Sequence, residues 1–591
     1  MAITRSIKET VLESLAVLYQ QLFTHKDFQV NQTKPEFEGD YTVVLFTLVK
    51  SMKRSPEMLG NDLGSHLVDN YPALFTGFNV IKGFLNLVIA DKYWLDVLQD
   101  QYDNPNVGKA VNKGKKVMVE FSSPNTNKPL HLGHLRNIFL GWSISEIYKA
   151  NGHDIVKSCV VNDRGIHICK SMIAWQLFSN GDTPESTRQK GDHFVGDYYV
   201  KFNEEYKKEV ETLVSSGMSR ENAEKESAIM KGTQEMLLKW EQGDEKVKKL
   251  WTTMNSWVYA GFDETYHRIG IYFDKIYYES QTYLVGKKYV EEGLEKGIFK
   301  KKEDGSVWID LTSDGLDEKL LLRKDGTSVY ITQDIGLAKL KYDDYKIDES
   351  ILVIGDEQNY HVKVLKLICQ KLGMPYADNI FHLSYGMVEL TTGKMKSREG
   401  TVVDADDIID EMINEADRKT QDSGKAKDFN PDELKTLFEM IGIGAMKFYL
   451  LRVDPKKRMI FNPEESIDLH GFTATSIQYT HARIKSMLRT ERPSGIITEQ
   501  EPLFALEKKL LIMLEEYPAI IEQACEEMNP SVLALYAYEL AKKFNSFYDV
   551  HSVLKAENPQ KKELRLQIAQ MTSNVIASSM KLLGIDVPER M

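Results

Sequence analysis

The segment from Val117 to Asp163 constrains the fold more than any other part of this 591-residue chain. It opens with VMVEFSS, a short apolar run of the kind that forms a buried strand. HLGHLRNIFLGWSISEIYKA has helical character and stops at Asn151-Gly152, a typical C-terminal signal. DIVKSCVVND is then a second strand. Strand, helix and strand with short connections predict a βαβ unit and therefore a parallel sheet.

Further strands and helices are predicted on both sides of this βαβ unit in the sequence. Further strands are predicted at 328–332 (SVYIT), 350–355 (SILVIG) and 382–390 (HLSYGMVEL), with helices between them. The charged and aromatic stretch from about 165 to 315 predicts a mostly helical insertion. Before residue 104 helical periodicity gives way to strand-like VIKGFLNLVIA, and 104–116 is turn-prone. After about 405 the periodicity is almost entirely helical.

Two histidines, His131 and His134, lie at the predicted start of the first helix. They are spaced i and i+3, so their side chains point to the same side, and Gly133 leaves the backbone between them open. Ligands of βαβ units collect at the helix N-terminus, where free N–H groups attract phosphate. A nucleotide triphosphate is therefore one interpretation. Ordinary cap or surface histidines are the alternative for an isolated HxxH, and zinc is disfavoured because no third ligand is near.

The surrounding residues resemble a known family. HLGH resembles the HIGH signature of class I aminoacyl-tRNA synthetases, and EFSSPNTNKPLHLGHLRN (120–137) resembles its arginyl-tRNA synthetase version over its whole length. TTGKMKSREGTVV (391–403) resembles the KMSKS loop of the class. The resemblance implies that the two histidines stabilise charge on the ATP phosphates. The implied ATP-binding residues are His131, Gly133, His134, Lys394, Met395 and Arg398.

The loop departs from the family pattern at one position. Ser397 stands where the second lysine is expected, followed by Arg398. Relatives lacking that lysine carry one just upstream of the histidine motif, and Lys128 occupies that position. The resemblance therefore adds Lys128 to the catalytic set of His131, His134 and Lys394. The alternative is that Lys128 caps the turn at Pro129.

The resemblance also implies the substrate-binding residues. A guanidinium is a planar charged fork that is best met by carboxylates, which makes Asp334 the expected partner of arginine. The implied arginine-binding residues are Glu120, Ser123, Asn125, Tyr330, Asp334 and Gln358. In the helical C-terminal part, SIQYTHARIKSML (476–488), FNSFYDV and the closing PERM resemble the anticodon-binding region. The implied tRNA-binding residues are Tyr479, Arg483, Tyr548 and Met591.

The resemblance covers the whole chain and implies four parts. They are an N-terminal α+β additional domain (1–110) that contacts the tRNA D-loop, a Rossmann-like parallel-sheet catalytic domain (111–405), a helical connecting segment (406–465) and an all-helical anticodon-binding domain (466–591). The implied activity is arginine–tRNA ligation, with ATP, L-arginine and tRNA(Arg) as partners. Mg²⁺ is expected with ATP. The alternatives are another class I synthetase, such as the cysteinyl or glutaminyl type, and a catalytically silent homologue that binds RNA or protein partners.

Composition agrees with this interpretation without selecting it. The formal net charge of −12 disfavours a protein that coats nucleic acid but allows a local basic groove. The four cysteines form no CxxC pair, so we expect no disulfide framework and no zinc site. No run approaches the roughly 18 apolar residues of a membrane span. We expect a cytoplasmic monomer that does not bind membranes.

Overall fold

The computed structural model describes residues 3–390, 403–422, 429–497 and 502–591. Three parts follow one another along the chain. They are an antiparallel sheet with helices, a parallel sheet with helices, and a helical bundle. Within the described residues, no helix combines the length and the apolar character that a membrane crossing requires.

The first part is a four-stranded antiparallel sheet in the order β1-β2-β4-β3, packed with helices. The strand-like run VIKGFLNLVIA spans the turn of a hairpin, because Lys82 and Gly83 have positive φ values of 50° and 85°. The elements are α1 (Ile3–Tyr19), β1 (Val30–Gln32), β2 (Tyr41–Val44), α2 (Phe46–Met52), α3 (Pro56–Asn70), β3 (Phe75–Ile81), β4 (Phe84–Ile89) and α4 (Asp91–Gln101).

The central part confirms the predicted α/β class. Its five strands are all parallel and lie in the order β12-β11-β5-β6-β7. The predicted βαβ unit is β5 (Lys116–Glu120), α5 (Leu132–Ala150) and β6 (Asp154–Val161). Helix α5 packs closely on the segment after β5: a Cβ at Gly141 would lie 2.2 Å from the Phe121 ring. The sheet is completed by β7 (Lys275–Tyr278), β11 (Glu349–Gly355) and β12 (Ile380–Tyr385).

The predicted helical insertion is right for its first part only. Residues 166–268 form α6 (Ile166–Phe178), α7 (Pro184–Thr187), α8 (Gly191–Ser215), α9 (Arg220–Glu226), α10 (Ala228–Glu241) and α11 (Glu245–Arg268). The chain then returns to the sheet as β7, a short edge strand that the sequence did not reveal. After α12 (Glu279–Thr282) and α13 (Val285–Glu295), a three-stranded antiparallel sheet forms from β8 (Phe299–Lys301), β9 (Val307–Ile309) and β10 (Lys319–Leu322).

Two further strand predictions need correction. SVYIT is not a strand: Val329 is the extended residue before α14 (Tyr330–Tyr345), which begins at Tyr330. Ile331 of this run and Ile335, four residues further on, are both buried, so they lie on the buried face of a helix. HLSYGMVEL is two strands, because the chain turns away at Gly386 and Val388–Leu390 (β13) pairs with Met459–Phe461 (β14). Helix α15 (Asn359–Lys371) connects β11 and β12.

The last part is helical apart from β14. Its helices are α16 (Ala405–Asp422), α17 (Pro431–Leu451), α18 (Pro463–Ser466), α19 (Ala474–Thr490), α20 (Ala505–Glu526), α21 (Pro530–Val550) and α22 (Pro559–Leu582). This bundle packs directly against α5: the Ser143 hydroxyl donates to the carbonyl of Leu582 at 2.9 Å. The helix that carries the histidine pair thus has the sheet on one side and the C-terminal bundle on another.

Candidate active site

A cleft with about 1070 Å³ of empty space opens at the carboxyl ends of the parallel strands. We call it the central cleft. It lies where the strand order reverses, since β5 has β6 on one side and β11 on the other. Ligands of open parallel sheets bind at such a switch point. The central cleft is lined by Glu120, Ser122, Ser123, His131, Gly133, His134, Asn137, Val160, Asn162, Asp334, Leu337, Val353, Ile354, Gly355, Glu357, Tyr385, Met387 and Val388.

The two histidines form the N-terminal cap of α5. The main-chain N–H of Gly133 donates to Nδ1 of His131, and the N–H of His131 donates to Nδ1 of His134, both at 3.1 Å. The imidazole rings lie 3.8 Å apart, centroid to centroid. Because each Nδ1 accepts a hydrogen bond, a neutral ring carries its proton on Nε2. Each histidine therefore offers one N–H donor.

Both imidazoles stay neutral at physiological pH. Burial lowers the pKa of His131 to about 4, with a further contribution from the Lys128 charge and an opposing one from Asp404. Burial also lowers the pKa of His134 well below its usual value, helped by His131 and Lys128. An imidazole that stays neutral keeps its Nε2–H as a hydrogen-bond donor. It is therefore suited to stabilising negative charge rather than to transferring protons.

Lys128 and His131 line the same opening, and the Lys128 charge lowers the pKa of both His131 and His134. This opening is a neighbouring cleft, which His193 and Asp404 also line. The predicted loop residues Lys394, Met395, Ser397 and Arg398 lie outside the described residues. The segment that follows them is held at the histidine motif: the N–H of Leu132 donates to the carbonyl of Val403 at 3.3 Å, and that of Ala405 to Leu130 at 3.0 Å.

Two predicted arginine-binding carboxylates line the central cleft, and each contacts a basic side chain. Asp334 accepts a hydrogen bond from Nε2 of His361 at 2.6 Å, and this contact raises the pKa of His361. Glu120 forms a buried ion pair with Lys341. The cleft therefore has two acidic positions whose charges are held in place by groups on α14 and α15.

The remaining predicted arginine-binding residues are more scattered. Ser123 lines the central cleft and has a positive φ of 45°. Asn125 is exposed, and its backbone pairs with Asn162. Gln358 is exposed and its neighbour Glu357 lines the cleft in its place. Tyr330 lies outside the central cleft and is 75% exposed. The structure thus brings Glu120, Ser123 and Asp334 together, but not Asn125, Tyr330 and Gln358.

Tyr330 lines a second opening, which we call the side cleft, with about 1090 Å³ of empty space. Glu279 also lines it, and burial raises the pKa of this carboxyl to about 7. The charge of Arg164 opposes this shift, while those of Asp163 and Asp334 add to it. The charge of Asp334 thus reaches Glu279, although the two carboxyls line different clefts. Glu279 is an acidic group poised near neutral pH.

Sequence reasoning missed several groups of this site. Asn137 accepts from the N–H of Ser122 at 2.5 Å and donates to the carbonyl of Val353 at 2.7 Å, thereby joining two strand ends. Asn137 was detectable as a polar residue on an apolar helix, three positions after His134. Glu279 and Lys341 carried no such signal, because only the fold places them near Glu120 and Asp334. His361 was visible as a histidine near Gln358, but no role could be assigned to it from the sequence.

One group of described side chains has the spacing of metal ligands: Asp192, His193 and Asp406. The Lys190 ammonium lies 3.1 Å from Asp192 and 2.6 Å from Asp406, where a cation would be held. His193 contacts Asp404 and Asp406, both at 3.2 Å, and these contacts raise its pKa to about 10. The group does not fit a metal ion. It joins the insertion to the start of α16.

Three of the predicted tRNA-binding residues lie on neighbouring helices of the bundle, Tyr479 and Arg483 on α19 and Tyr548 on α21, while Met591 follows the last helix. The Arg483 guanidinium is 4.9 Å from the ring centre of Tyr548 and 6.0 Å from that of Tyr479. Met591 lies against a small pocket with Tyr479. Lys485 forms an ion pair with the Glu589 carboxylate, and Arg489 donates to the main-chain carbonyl of Glu589. These two contacts hold the C-terminal segment on α19. A cation between two aromatic rings is a typical stacking surface for single-stranded RNA.

These features together define a class of protein. A parallel sheet, a histidine-capped helix at its switch point and an acidic cleft alongside are a nucleotide-type α/β site of the kind used by class I synthetases.

The comparisons with known proteins give the family. The model described as "tRNA synthetases class I (R), catalytic domain" matches residues 97–462, the arginyl tRNA synthetase N terminal domain matches 3–89, and the DALR anticodon binding domain matches 477–591. The arginine–tRNA ligases of Parabacteroides distasonis and Bacteroides thetaiotaomicron are 52% and 51% identical, with both chains covered completely. The Thermus thermophilus arginyl-tRNA synthetase structure has the same fold, with a TM-score of 0.80 at 23% identity over both whole chains. The chain belongs to the arginyl-tRNA synthetase family.

Proposed function

We propose that this protein is an arginine–tRNA ligase. It activates L-arginine with ATP to arginyl-adenylate and pyrophosphate, and then transfers arginine to the 3′-terminal adenosine of tRNA(Arg). The observation that carries the proposal is the central cleft, in which two neutral histidine donors and the carboxylate of Asp334 line one opening. The cleft thus offers donors for a phosphate and an acceptor for a guanidinium side by side.

The adenylation step follows from this arrangement. The ATP phosphates lie at the start of α5, where main-chain N–H groups and the helix dipole favour negative charge. The Nε2–H groups of His131 and His134 donate to the α-phosphate as the arginine carboxylate attacks it. Pyrophosphate then leaves. Asp334 holds the guanidinium of the substrate, and the carboxylate of the same arginine molecule is thereby directed toward the α-phosphate. Mg²⁺ enters with ATP and is held mainly by phosphate oxygens and water.

The chain is divided into four parts. Residues 1–110 form the additional domain at the D-loop of the tRNA, and 111–405 form the catalytic domain with its insertion. Residues 406–465 form the connecting segment, and 466–591 form the anticodon-binding domain. The cluster of Tyr479, Arg483 and Tyr548 stacks on unpaired anticodon bases. The protein acts as a cytoplasmic monomer.

The decisive experiment is aminoacylation of total tRNA with each amino acid in turn. Arginine alone is expected to be charged, and charging of any other amino acid contradicts the proposal. ATP–pyrophosphate exchange is expected only when tRNA is present. Exchange at full rate without tRNA contradicts that expectation, although not the ligase activity itself.

Replacing Lys128 with alanine is expected to lower the adenylation rate about tenfold, the cost of about 1.4 kcal/mol of transition-state stabilisation. The reason is that Lys128 lies close enough to lower the pKa of both histidines, so it adds positive charge where the phosphates bind. Single-turnover adenylate formation measures the effect. Ser397→Ala is the control and is expected to change the rate less. The reverse order contradicts the idea that Lys128 replaces the missing loop lysine.

Arginine affinity is expected to rise with pH between 6 and 8. Below its raised pKa of about 7 the Glu279 carboxyl is mostly protonated and neutral, and above it the carboxylate attracts the guanidinium, whose charge does not change. Glu279 lines the side cleft and Asp334 the central cleft, so the Glu279 charge acts on the bound arginine at longer range, and the dissociation constant should fall about threefold in all between pH 6 and 8. Equilibrium dialysis at fixed ionic strength measures this curve.

Two variants separate the groups that contribute to this pH dependence. Glu279→Gln is expected to flatten most of the curve. His361→Gln should remove only the smaller part that arises when His361 is protonated and neutralises Asp334. A curve that keeps its slope in Glu279→Gln contradicts the role given to this carboxyl.

A further inference from the structure

Arg136 is the second residue after His134, and its side chain is completely buried. Its guanidinium binds four main-chain carbonyls rather than a carboxylate. Nη1 donates to Gly386 at 2.7 Å and to Met387 at 3.3 Å. Nη2 donates to Pro455 at 3.2 Å and to Lys457 at 2.8 Å. This buried side chain therefore joins α5 to two other segments of the chain, residues 386–387 and residues 455–457.

The first of these segments forms part of the central cleft. Gly386 and Met387 connect β12 to β13, and both Met387 and Val388 line the cleft together with His134. Of the four residues whose carbonyls Arg136 binds, Met387 lines the central cleft, which His131 and His134 also line. The contact with Arg136 therefore reaches the lining of the cleft in which the histidine pair lies.

The second segment is the turn between α17 and β14. Its main chain approaches Gly386 so closely that a Cβ there would lie 2.7 Å from the nitrogen of Arg458 and 2.8 Å from the carbonyl oxygen of Lys457. The N–H of Gly386 also donates to the carbonyl of Pro455 at 2.9 Å. The two segments form one unit, and Arg136 attaches that unit to α5.

Only arginine can make this set of contacts. The planar fork presents several N–H groups in fixed directions, whereas a lysine ammonium is a single point on a flexible stem. Burial lowers the pKa of Arg136 to about 10, so the group is still charged at neutral pH. The four carbonyls stabilise a buried cation through Nη1 and Nη2, while Nε is buried without a hydrogen-bond partner among the described residues.

We propose that Arg136 is a positioning residue for nucleotide binding, which fixes the main chain of Gly386 and Met387 at a set distance from the histidine pair. It does not touch substrate. Its guanidinium sets the width of the nucleotide side of the cleft and leaves the arginine side unaffected. This inference rests on the proposed ligase function.

The test is the substitution Arg136→Lys, which keeps the charge and removes the fork. The expected result is a fall in kcat/KM for ATP of about 10- to 100-fold, since an error of about 1 Å in position can cost that much. The KM for arginine is expected to stay within about twofold of the wild-type value. A purely structural role would not separate the two substrates. ATP–pyrophosphate exchange in the presence of tRNA gives both constants.

A second variant reaches the same contact from the other side. Gly386→Ala forces the main chain away from Lys457 and Arg458 while Arg136 is retained, and it should reproduce the loss for ATP. Because both changes act on one contact, the double variant should fall little below the more severe single one. If Arg136→Lys does not fold, Gly386→Ala decides.

Arg565→Lys is the matched control. Arg565 is also completely buried and donates to a main-chain carbonyl, that of Ser552 at 2.7 Å, but it lies on α22 and outside the cleft lining. Its kinetics are expected to match the wild type. The proposal is overturned if both test variants keep kcat/KM for ATP within threefold, or if arginine and ATP are affected equally. An inactive wild-type protein would contradict the ligase function instead.

Discussion

Replacing His134 with asparagine is expected to slow arginyl-adenylate formation by about 10²–10³-fold without disturbing the fold, the effect of removing one donor from developing charge. Nδ1 of His134 accepts from the N–H of His131, and Nε2–H is the ring's only donor. The side-chain oxygen of asparagine occupies the position of Nδ1 and can keep the cap. It has nothing at the position of Nε2. Rapid-quench measurement of the first turnover, with tRNA present, separates this effect from product release.

Two further substitutions sharpen the test. His134→Ala removes the cap as well as the donor, so it should also lower the free energy of unfolding by about 1 kcal/mol. His134→Gln places an N–H near the position of Nε2 and should recover part of the rate. Equal rates for His134→Asn and wild type would mean that the imidazole serves only as a helix cap. That was the alternative interpretation of the HxxH pair.

The parallel sheet and the histidine site were predictable because their signals are local. VMVEFSS, the helix after it and DIVKSCVV are consecutive in sequence and pair with each other, so one short stretch carries the whole unit. The His131–His134 spacing likewise needs only a helix to bring the rings together. For the same reason the helix end at Asn151-Gly152 was predictable.

The rest of the site depends on contacts between distant parts of the chain. The edge strand Lys275–Tyr278 has only four residues, and its partner β6 lies more than a hundred residues earlier. SVYIT has β-branched and aromatic residues, but tertiary packing of Ile331 and Ile335 favours a helix. Glu279 and Lys341 are placed near Glu120 and Asp334 by the fold alone. No local pattern could reveal them.

Replacing Asp334 with asparagine is expected to lower kcat/KM for arginine by about 10²–10³-fold, the range for removing one partner of a charge pair at a binding site. Asp334 lines the central cleft, and His361 holds its carboxylate through Oδ2. The other carboxylate oxygen is not held by His361, so it can accept hydrogen bonds from the guanidinium of arginine. The kcat/KM for ATP at saturating arginine should change little. Exchange kinetics with each substrate varied in turn measure both.

Citrulline provides the sharper test of why arginine is chosen. It has nearly the shape of arginine, but a neutral urea replaces the guanidinium, so the ion pair with Asp334 is lost and one terminal amino group becomes a carbonyl oxygen that cannot donate to a carboxylate. The asparagine side chain offers that carbonyl an N–H, so Asp334→Asn should lose most of the discrimination between the two amino acids. Asp343→Asn is the matched control, because Asp343 lies on the same helix and pairs with Lys339 at the surface. If Asp334→Asn still rejects citrulline as the wild type does, the guanidinium is recognised elsewhere, and Glu279 becomes the principal carboxylate of the site.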